Sequence, residues 1–486
     1  MSNEHNSQPV PKDVRAIHPA NSIDIMALRP WDKNVMRING VPLPVVMGYP
    51  VLVSPTDRVH HFIYNFRHTD RSWPARKERQ FNKILDQADV YINGYKPWDI
   101  QVTNPNAYRR ILRDGILGAG EAYMEGEWEC EDLSGMIARV TAADLEGQFS
   151  GNLLSMAGIA VDSVFERMRT RFDRDAPTRA LAAKHYDLGN NFFESFLGET
   201  MVYSSAMWGD AGWGSAQTLE EAQVRKLDII CRKLGLKPRM WVLDIGGGWG
   251  SFAIFAATEY GVNVVSTSIS PEQVKFAEER RQQLPEDVAK RIEFRLQDYR
   301  DIDQKFSRIV SIGMFEHVGR KNHRAFFESV DRNLTTDGVF VLHSITTDRP
   351  EKTTSDNWVT KHIFPGSEIP NTHDMDAPLG KSNRWKLRMN QKSNYPTNYD
   401  RTLMEWFKRF DEHWEEFKPM FEPDADRFYR MWKFYLLGSA GAFRSGKLRL
   451  EQAIYTRDSS REPLLYGVEY YQHPEEPIKT SFVFPH

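Results

Sequence analysis

The chain contains 486 residues, which is enough for a large buried core and for two or three domains. Its 63 basic and 66 acidic residues leave a formal net charge of -3, which excludes the basic excess of a general nucleic-acid-binding protein. No apolar run approaches the roughly 20 residues of a membrane-spanning helix, so we expect any membrane contact to be peripheral.

The composition also predicts the compartment. Cys130 and Cys231 are the only cysteines, too few for a disulfide framework and without the spacing of metal ligands. The first residues lack the basic and apolar regions of a secretory signal peptide. We therefore expect a cytoplasmic protein without a metal centre.

Residues 1–80 are predicted to form an extra N-terminal segment that is partly disordered. Residues 1 to about 20 are polar and proline-containing, which is typical of disorder. The β-prone runs Pro42 to Val53 and Val59 to Phe66 predict a small β-rich piece. Arg71 to Asp86 is predicted to be a basic amphipathic helix, whose charges are simplest to interpret as a solvated face.

Residues 81–150 are predicted to form a small α+β domain that serves docking or dimerisation. The run from Ala88 to Pro105 contains an Asn93-Gly94 pair between two β-prone stretches, which predicts a hairpin. A helix is expected from Ala107 to Asp114. Small residues then alternate with aromatic ones over residues 117–129.

Residues 151–184 are predicted to be a basic linker. Six basic residues lie between Phe165 and Lys184, among aromatic and Met side chains. Such a stretch could lie on an anionic bilayer, where each basic residue contributes about 1 kcal/mol. An exposed connector between domains explains the pattern equally well.

The remainder alternates strand and helix patterns, which predicts a doubly wound parallel sheet. Strands are expected at 241–245, 262–268, 292–296, 307–312 and 338–345. Helices are expected near 219–233, 251–260, 271–283 and 322–333. Ligands of this architecture bind beyond the carboxyl ends of the strands.

The first of these strands runs into a glycine-rich turn, Gly246 to Gly250, followed by a helical pattern. Its spacing differs from the G-x-G-x-x-G of dinucleotide-binding folds, and the strand ending at Ser268 lacks the acid that holds an NAD ribose. The Asp-x-Gly-x-Gly-x-Gly pattern instead fits an S-adenosylmethionine (AdoMet) methyltransferase. The predicted fold class is thus a Rossmann-like methyltransferase domain, residues 185–486, after the small α+β domain.

The other strand ends carry polar residues. Gln297 and Asp298 could bond an adenine edge, although Asp298 could equally cap a turn. Glu316 and His343 at adjacent strand ends suggest acid-base chemistry, whereas each alone would be an ordinary structural residue.

Aromatic segments flank the sheet. Residues 184–194 and 200–208 are interpreted as a lid whose Tyr203 and Ser204 touch the cofactor. Residues 406–443 have the length of a helical wall over an acyl channel. Core packing explains both aromatic segments as well.

Seven motifs in these segments resemble the cyclopropane-fatty-acyl-phospholipid synthase family, which is related to the mycolic acid cyclopropane synthases. The resemblance covers about residues 85–455. The matching motifs are His185-Tyr-Asp-Leu-Gly-Asn, Met201-x-Tyr-Ser, Val242-Leu-Asp-Ile-Gly-x-Gly-Trp-Gly, Gln297-Asp-Tyr-Arg-Asp, Met314-Phe-Glu-His-Val-Gly, Leu342-His and Ala440-Gly-Ala-Phe-Arg.

The resemblance implies methyl transfer from AdoMet to a cis double bond of a phospholipid acyl chain, followed by proton loss that closes a cyclopropane. It implies that bound bicarbonate is the base, held by Ser205, Glu316, His343, Ile345 and Tyr435. It implies that AdoMet is bound by Tyr203, Ser204, Gly246, Gly248, Ser268, Ile269, Gln273, Gln297 and Asp298. It also implies a homodimer that acts peripherally at the phospholipid bilayer, on the inner face of the membrane.

This sequence departs from the family pattern at two informative places. Ser205 stands where the phospholipid enzymes have Cys, and a basic stretch within residues 373–393 replaces an acidic-aromatic segment. A methyl-branched or methylene acyl product therefore remains an alternative. A non-catalytic lipid-binding protein with an inherited fold is the alternative from another class, and a small-molecule methyltransferase is a weaker one.

Overall fold

The protein is described by a computed structural model. It covers residues 72–145, 188–209, 216–348, 357–376, 387–457 and 478–485, and the backbone of four two-residue strands between 37 and 50. The predicted basic linker, residues 151–184, lies outside this part of the chain. Within these ranges, no helix is both long and apolar enough to cross a bilayer.

The chain divides into two compact units, Met1–Arg79 and Gln80–His486. The first unit contains two small antiparallel pairs in the region predicted to be β-rich. They are β1 (Arg37–Ile38) with β2 (Val41–Pro42), and β3 (Val45–Val46) with β4 (Tyr49–Pro50). The finer division of the second unit into a small domain and a catalytic domain stays a prediction.

The described residues from 72 onward contain twelve α-helices. In chain order the α-helices are α1 (Trp73–Leu85), α2 (Asn106–Met124), α3 (Leu133–Ala142), α4 (Asn190–Leu197), α5 (Leu219–Lys233), α6 (Ser251–Tyr260), α7 (Pro271–Gln282), α8 (Glu286–Ala289), α9 (His323–Asn333), α10 (Asn357–His362), α11 (Pro396–Phe417) and α12 (Ala425–Arg444). All four helices predicted between the sheet strands are present, as α5, α6, α7 and α9.

Local sequence explains where the helices begin. Thr218 caps α5 by accepting a hydrogen bond from the Glu221 N–H at 3.2 Å. Ser270 caps α7 in the same way, and Pro271 occupies its first turn, where proline is favoured. These polar starts let the helices pack their apolar faces on the sheet without leaving buried N–H groups.

Seven strands form one sheet in the order β12-β13-β11-β10-β7-β8-β9. Its strands are β7 (Trp241–Ile245), β8 (Asn263–Ser268), β9 (Ile292–Leu296), β10 (Phe306–Ile312), β11 (Leu334–Thr347), β12 (Leu387–Asn394) and β13 (Leu448–Arg457). The strands from β11 to β9 are parallel, whereas β12 and β13 pair antiparallel. The order reverses at β7, so the doubly wound Rossmann-like fold is confirmed.

The sheet is buried on both faces. Along β7, Val242 belongs to a core cluster with α5 and α6, and Leu243 belongs to a second cluster with α9. The same alternation occurs at Val264 and Val265 on β8. A strand that is apolar on both faces needs helices on both sides, which is why this part of the chain alternates strands and helices.

The sequence prediction contained five strands, and two strands were missed. The polar residues Glu451, Gln452 and Thr456 are buried in β13, so this strand does not read as an apolar run. β12 is mostly polar and only partly buried. The helices α11 and α12, which separate these two strands, were predicted as a helical tail and are confirmed as helices.

The predicted hairpin around Asn93 and Gly94 is wrong. Ile92 and Ile100 form only an isolated parallel bridge, and β5 (Gln101–Val102) pairs instead with β6 (Trp128–Glu129). Asn93 does take a positive φ of 54°, but its side-chain oxygen accepts from the Val102 N–H at 3.0 Å. This side-chain bond holds a wide loop in place of a tight two-residue turn.

Candidate active site

The glycine-rich turn lies directly after β7 and before α6. Gly246, Gly248 and Gly250 all have positive φ, at 81°, 56° and 86°. A Cβ at Gly246 would lie 2.5 Å from Met314 Cγ, whereas a Cβ at Gly248 would meet no atom within 4 Å. The backbone at Gly248 therefore faces open space that a ligand can approach closely.

That space is a cavity of about 230 Å³ at the carboxyl ends of the parallel strands. All nine residues predicted to bind AdoMet line it: Tyr203, Ser204, Gly246, Gly248, Ser268, Ile269, Gln273, Gln297 and Asp298. They come from four separate parts of the chain, and the switch in strand order brings them together.

At the end of β8, a small polar network replaces the acid of dinucleotide-binding folds. Ser268 Oγ donates to Gln273 Oε1 at 2.9 Å and accepts from the Ser270 N–H at 3.1 Å. These bonds fix a neutral amide at the edge of the cavity. Such a group discriminates ligands by hydrogen bonding and adds no charge.

At the end of β9, Asp298 both caps a turn and lines the cavity. Its carboxylate accepts from the Arg300 N–H at 3.0 Å, which caps the short 3₁₀ turn Tyr299–Asp301, and it also binds the Arg300 guanidinium. The same residue lines the cavity. The cap holds the carboxylate in place, so the structural role and a ligand role are compatible.

Two buried charged groups at the cavity were not predicted as site residues. Lys226 on α5 is fully buried, and its Nζ donates to Ser204 Oγ at 2.8 Å. Burial holds the pKa of Lys226 well below its usual value. Asp244 on β7 donates nothing when ionised and accepts from Ser266 Oγ at 2.9 Å; burial raises its pKa to about 7.

The segment after α10 also contributes to the cavity and was not predicted. Phe364, Pro365, Gly366 and Ser367 line it. The Phe364 ring contacts the rings of Tyr203 and Tyr435, with centroids 6.1 and 5.7 Å away. A single Phe-Pro-Gly-Ser stretch carries no distinctive sequence signal, so only the fold identifies it.

Glu316 lies in a short 3₁₀ turn, Phe315–His317, that follows β10. Its Oε1 accepts from the Ile345 N–H at 2.7 Å, while its Oε2 is buried and has no hydrogen-bond partner within the described residues. Burial raises the pKa of Glu316 to about 7. Its neighbours Met314 and His317 line the cavity, so this carboxyl group lies behind the cavity wall.

His343 is buried on β11, next to Ile312 of β10 in the sheet register. Its Nδ1 lies 2.9 Å from Gln452 Nε2, and its Nε2 has no hydrogen-bond partner among the residues described. Burial, with Lys226 and Lys233 nearby, holds the pKa of His343 well below its usual value. His343 and Ile345 share a face of the strand, and Glu316 contacts the backbone of this strand at Ile345.

The remaining predicted catalytic residues surround these two. Tyr435 on α12 accepts a hydrogen bond from the Tyr203 hydroxyl at 3.2 Å. Ser205 is fully buried, and its hydroxyl donates to the Ala206 carbonyl at 3.0 Å. The Ile345 N–H is used by Glu316. Ile345 therefore orients the carboxylate in this structure.

The aromatic segments pack mainly against one another. Phe192 on α4 has seven aromatic rings within 6.2 Å between centroids, most of them from α11 and α12. Trp406 and Trp432 are buried in the same cluster. Core packing therefore accounts for most of these side chains. Tyr203 contacts both this cluster, through Trp406, and the cavity.

Comparisons with known proteins cover the same region. The sequence model of the family described as mycolic acid cyclopropane synthetase matches residues 174–453. Cyclopropane-fatty-acyl-phospholipid synthase of Escherichia coli is 40% identical over 379 residues, which cover 77% of this chain and 92% of that protein. Tuberculostearic acid methyltransferase UfaA1 of Mycobacterium tuberculosis is 32% identical over 359 residues, which cover 72% and 81%.

A solved structure with bound ligands also matches this chain. Mycolic acid cyclopropane synthase CmaA1 complexed with SAH and CTAB matches with a TM-score of 0.52 and 29% identity, covering 59% of this chain and 100% of that one.

Proposed function

The chain belongs to the mycolic acid cyclopropane synthetase family and is an AdoMet-dependent methyltransferase, and on this premise we propose that it cyclopropanates unsaturated phospholipid acyl chains. The observation that carries the proposal is that two buried polar atoms, Glu316 Oε2 and His343 Nε2, have no hydrogen-bond partner in the part of the chain that the structure describes. Buried polar atoms are nearly always satisfied, so this pair points to a polar ligand.

AdoMet is the methyl donor, and the nine cavity residues named above hold it. The neutral Gln273 and Gln297 amides and the Asp298 carboxylate orient the adenosine, while the glycine-rich turn lets the ligand approach the backbone. Lys226, which burial favours in its neutral form, avoids repulsion with the sulfonium.

The reaction forms a C–C bond between the methyl group and one alkene carbon, while the S–C bond breaks and its electron pair stays on sulfur. The other alkene carbon becomes a cation. Loss of a proton from the transferred methyl group then provides the electron pair that closes the three-membered ring. The surroundings must exclude water and supply a base, which agrees with the burial of Glu316 and His343.

The donor set fits bicarbonate, which would supply the base for this proton. Glu316 Oε2 would accept a hydrogen bond from its hydroxyl, His343 Nε2 and the Tyr435 hydroxyl would donate to its oxygens, and the Ser205 N–H would complete the set. Ile345 keeps Glu316 in place through the 2.7 Å bond. A carboxyl group whose pKa is about 7 can accept or donate a proton near neutrality.

A bilayer lipid as substrate implies contact with the membrane surface, and we propose a peripheral enzyme on the inner, cytoplasmic face. The basic residues 165–184 are the proposed contact, and the small domain 81–150 is the proposed site of homodimerisation. A methyl-branched or methylene product is the second candidate, because a relative at 32% identity is named tuberculostearic acid methyltransferase UfaA1.

Lipids from a bacterial host that lacks its own cyclopropane synthase test the proposal. Expression of this chain should convert unsaturated phospholipid acyl chains into products heavier by a CH₂ group, detected by mass spectrometry. Proton NMR should show the high-field ring methylene of a cyclopropane. The vinylidene protons of an internal C=CH₂ group would instead support the methylene product, and lipids identical to those of the host without the gene would contradict both.

AdoMet affinity should depend on pH through Asp244. Its pKa is raised to about 7 by burial, and a bound sulfonium cation favours the carboxylate form, so binding releases a proton. Affinity should therefore rise by about tenfold as pH increases through 7, since a pKa change of about one unit corresponds to a factor of ten. Calorimetry from about pH 5.5 to about pH 8.5 measures this dependence.

The control for this measurement is Asp244→Asn, which should bind AdoMet more weakly and with a flat pH profile. His317 also lines the cavity, but burial lowers its pKa to about 4, below the window. An unchanged slope in the variant would assign the titration to another group, and Asp244 would then be excluded.

A further inference from the structure

Three buried side chains form a hydrogen-bonded chain that ends at Nδ1 of His343, the ring nitrogen opposite Nε2. Lys233 on α5 donates from Nζ to Gln452 Oε1 at 2.6 Å, and Gln452 Nε2 lies 2.9 Å from His343 Nδ1. The exposed fractions of Lys233, Gln452 and His343 are 1%, 0% and 1%. We refer to these three residues as the buried triad.

The sheet register brings two members of the buried triad together. His343 on β11 and Gln452 on β13 are directly opposite each other in the antiparallel pairing. Side chains of opposed residues project from the same face of a sheet. Lys233, the last residue of α5, reaches the pair from the helix that packs on that face, and its Nζ also donates to the Tyr395 hydroxyl at 3.3 Å.

The order of donors and acceptors along the buried triad follows from the ammonium group of Lys233. An ammonium group has donors only, so the oxygen of the Gln452 amide faces Lys233. The amide nitrogen, which also only donates, then faces His343 Nδ1. That ring nitrogen must accept, and the ring proton of a neutral imidazole must therefore be on Nε2.

We propose that Lys233 and Gln452 are positioning residues that hold His343 as the neutral tautomer with its proton on Nε2, so that His343 acts as a hydrogen-bond donor toward the reacting site. This inference rests on the proposed function, because it concerns the residue assigned there as a donor. It also excludes a role for His343 as the base, since its basic nitrogen is occupied by the amide.

Electrostatic interactions also favour a neutral His343 with an unprotonated Nδ1. An amide N–H₂ group facing Nδ1 cannot stabilise a proton there, and the ammonium form of the nearby Lys233 opposes a positive imidazolium. Burial lowers the pKa of Lys233 to about 7, so its ammonium form is populated mainly below that pH. Measurements of the tautomer are therefore best made near about pH 6.5.

The tautomer can be read by NMR of the full-length protein with ¹⁵N-labelled histidine, because protonated and unprotonated ring nitrogens have distinct shifts. The His343 signals are identified by their loss in His343→Ala. The wild type should show protonated Nε2 and unprotonated Nδ1. In Gln452→Glu, a carboxylate oxygen faces Nδ1, and Nδ1 should become protonated.

Kinetics give the second readout. Gln452→Glu should lower kcat roughly 10- to 100-fold, with the KM for AdoMet within about twofold, as expected when a positioning partner is lost. Lys233→Met removes the charge and keeps the volume, so it should preserve the fold and give a mixture of tautomers with a smaller fall in kcat. Gln391→Glu, the same change on the neighbouring strand β12, is the control and should leave both readouts unchanged.

The outcomes separate this inference from the proposed function. A wild-type His343 protonated on Nδ1, or a Gln452→Glu tautomer equal to that of the wild type, would overturn the inference even if the enzyme is active. The expected tautomers without any lipid product would support the buried triad and contradict the proposed function. An equal fall in kcat in Gln391→Glu would identify a general loss of stability and would also overturn the inference.

Discussion

Replacing Glu316 by Gln should lower kcat for lipid modification by about 10²- to 10⁴-fold, the range typical of losing a general acid-base group. The fold should be retained, because the side-chain oxygen of Gln can still accept the Ile345 N–H, as Glu316 Oε1 does at 2.7 Å. The loss of activity arises at the position of Glu316 Oε2. An amide N–H₂ group would replace Oε2, and a donor would face the position where the site needs an acceptor.

Activity is measured as modified acyl chains formed by purified enzyme on phospholipid vesicles with AdoMet, and binding is measured separately by calorimetry. AdoMet affinity should change by less than about threefold, since Glu316 does not line the cofactor cavity. Glu127→Gln is the matched control. It alters another buried carboxylate, which pairs with Arg110 at 3.1 Å far from the cavity residues in the chain. Turnover of Glu316→Gln within tenfold of the wild type would refute its assigned role.

Replacing Gly248 by Val should weaken AdoMet binding by at least about 100-fold, because a side chain would enter the space that the ligand needs. A Cβ at this position meets no protein atom within 4 Å, so the new side chain does not clash with the fold. The positive φ of 56° adds a strain of about 1–3 kcal/mol for a residue other than glycine. Stability should therefore fall moderately while binding is lost.

Gly446→Val separates the strain from the blocked cavity. Gly446 also has a positive φ, 76°, and a Cβ there also meets nothing within 4 Å, but it lies in the turn between α12 and β13. The two variants should lose similar stability in thermal unfolding, whereas only Gly248→Val should lose AdoMet affinity in calorimetry. Equal affinity in both variants would show that AdoMet does not occupy the space beside Gly248.

The residues predicted from the sequence to bind AdoMet line one cavity in the structure, because the signals that identified them are local. A glycine-rich turn after an apolar strand requires backbone conformations that the sequence shows directly. The polar residues at strand ends could be assigned to one edge once the strand-helix alternation was recognised. The parallel arrangement then placed Ser268, Gln297 and Gly246 around one cavity. Lys226 was missed because it is one of several charges on an amphipathic helix.

The hairpin at Asn93 and Gly94 was predicted from a local signal that tertiary contacts overrode. Asp99 accepts from the Tyr91 and Lys96 N–H groups, both at 2.8 Å, and β5 finds its partner at β6, across α2. The β13 strand was missed for a related reason. Its buried polar side chains are acceptable only because they meet partners elsewhere, as Glu451 meets Thr346 at 2.8 Å.

The amino-acid sequence by itself determined the alternation of strands and helices, the glycine-rich turn and the residues at the strand ends, because periodicity and backbone preference act over a few neighbouring residues. Only the tertiary structure decided the direction of the hydrogen bonds at His343. Lys233 and Gln452 are 219 residues apart, and Gln452 and His343 are 109 apart, yet their contacts determine which nitrogen of His343 carries its proton. Hydrogen-bond direction depends on which groups meet across the sheet, and that is a property of the fold.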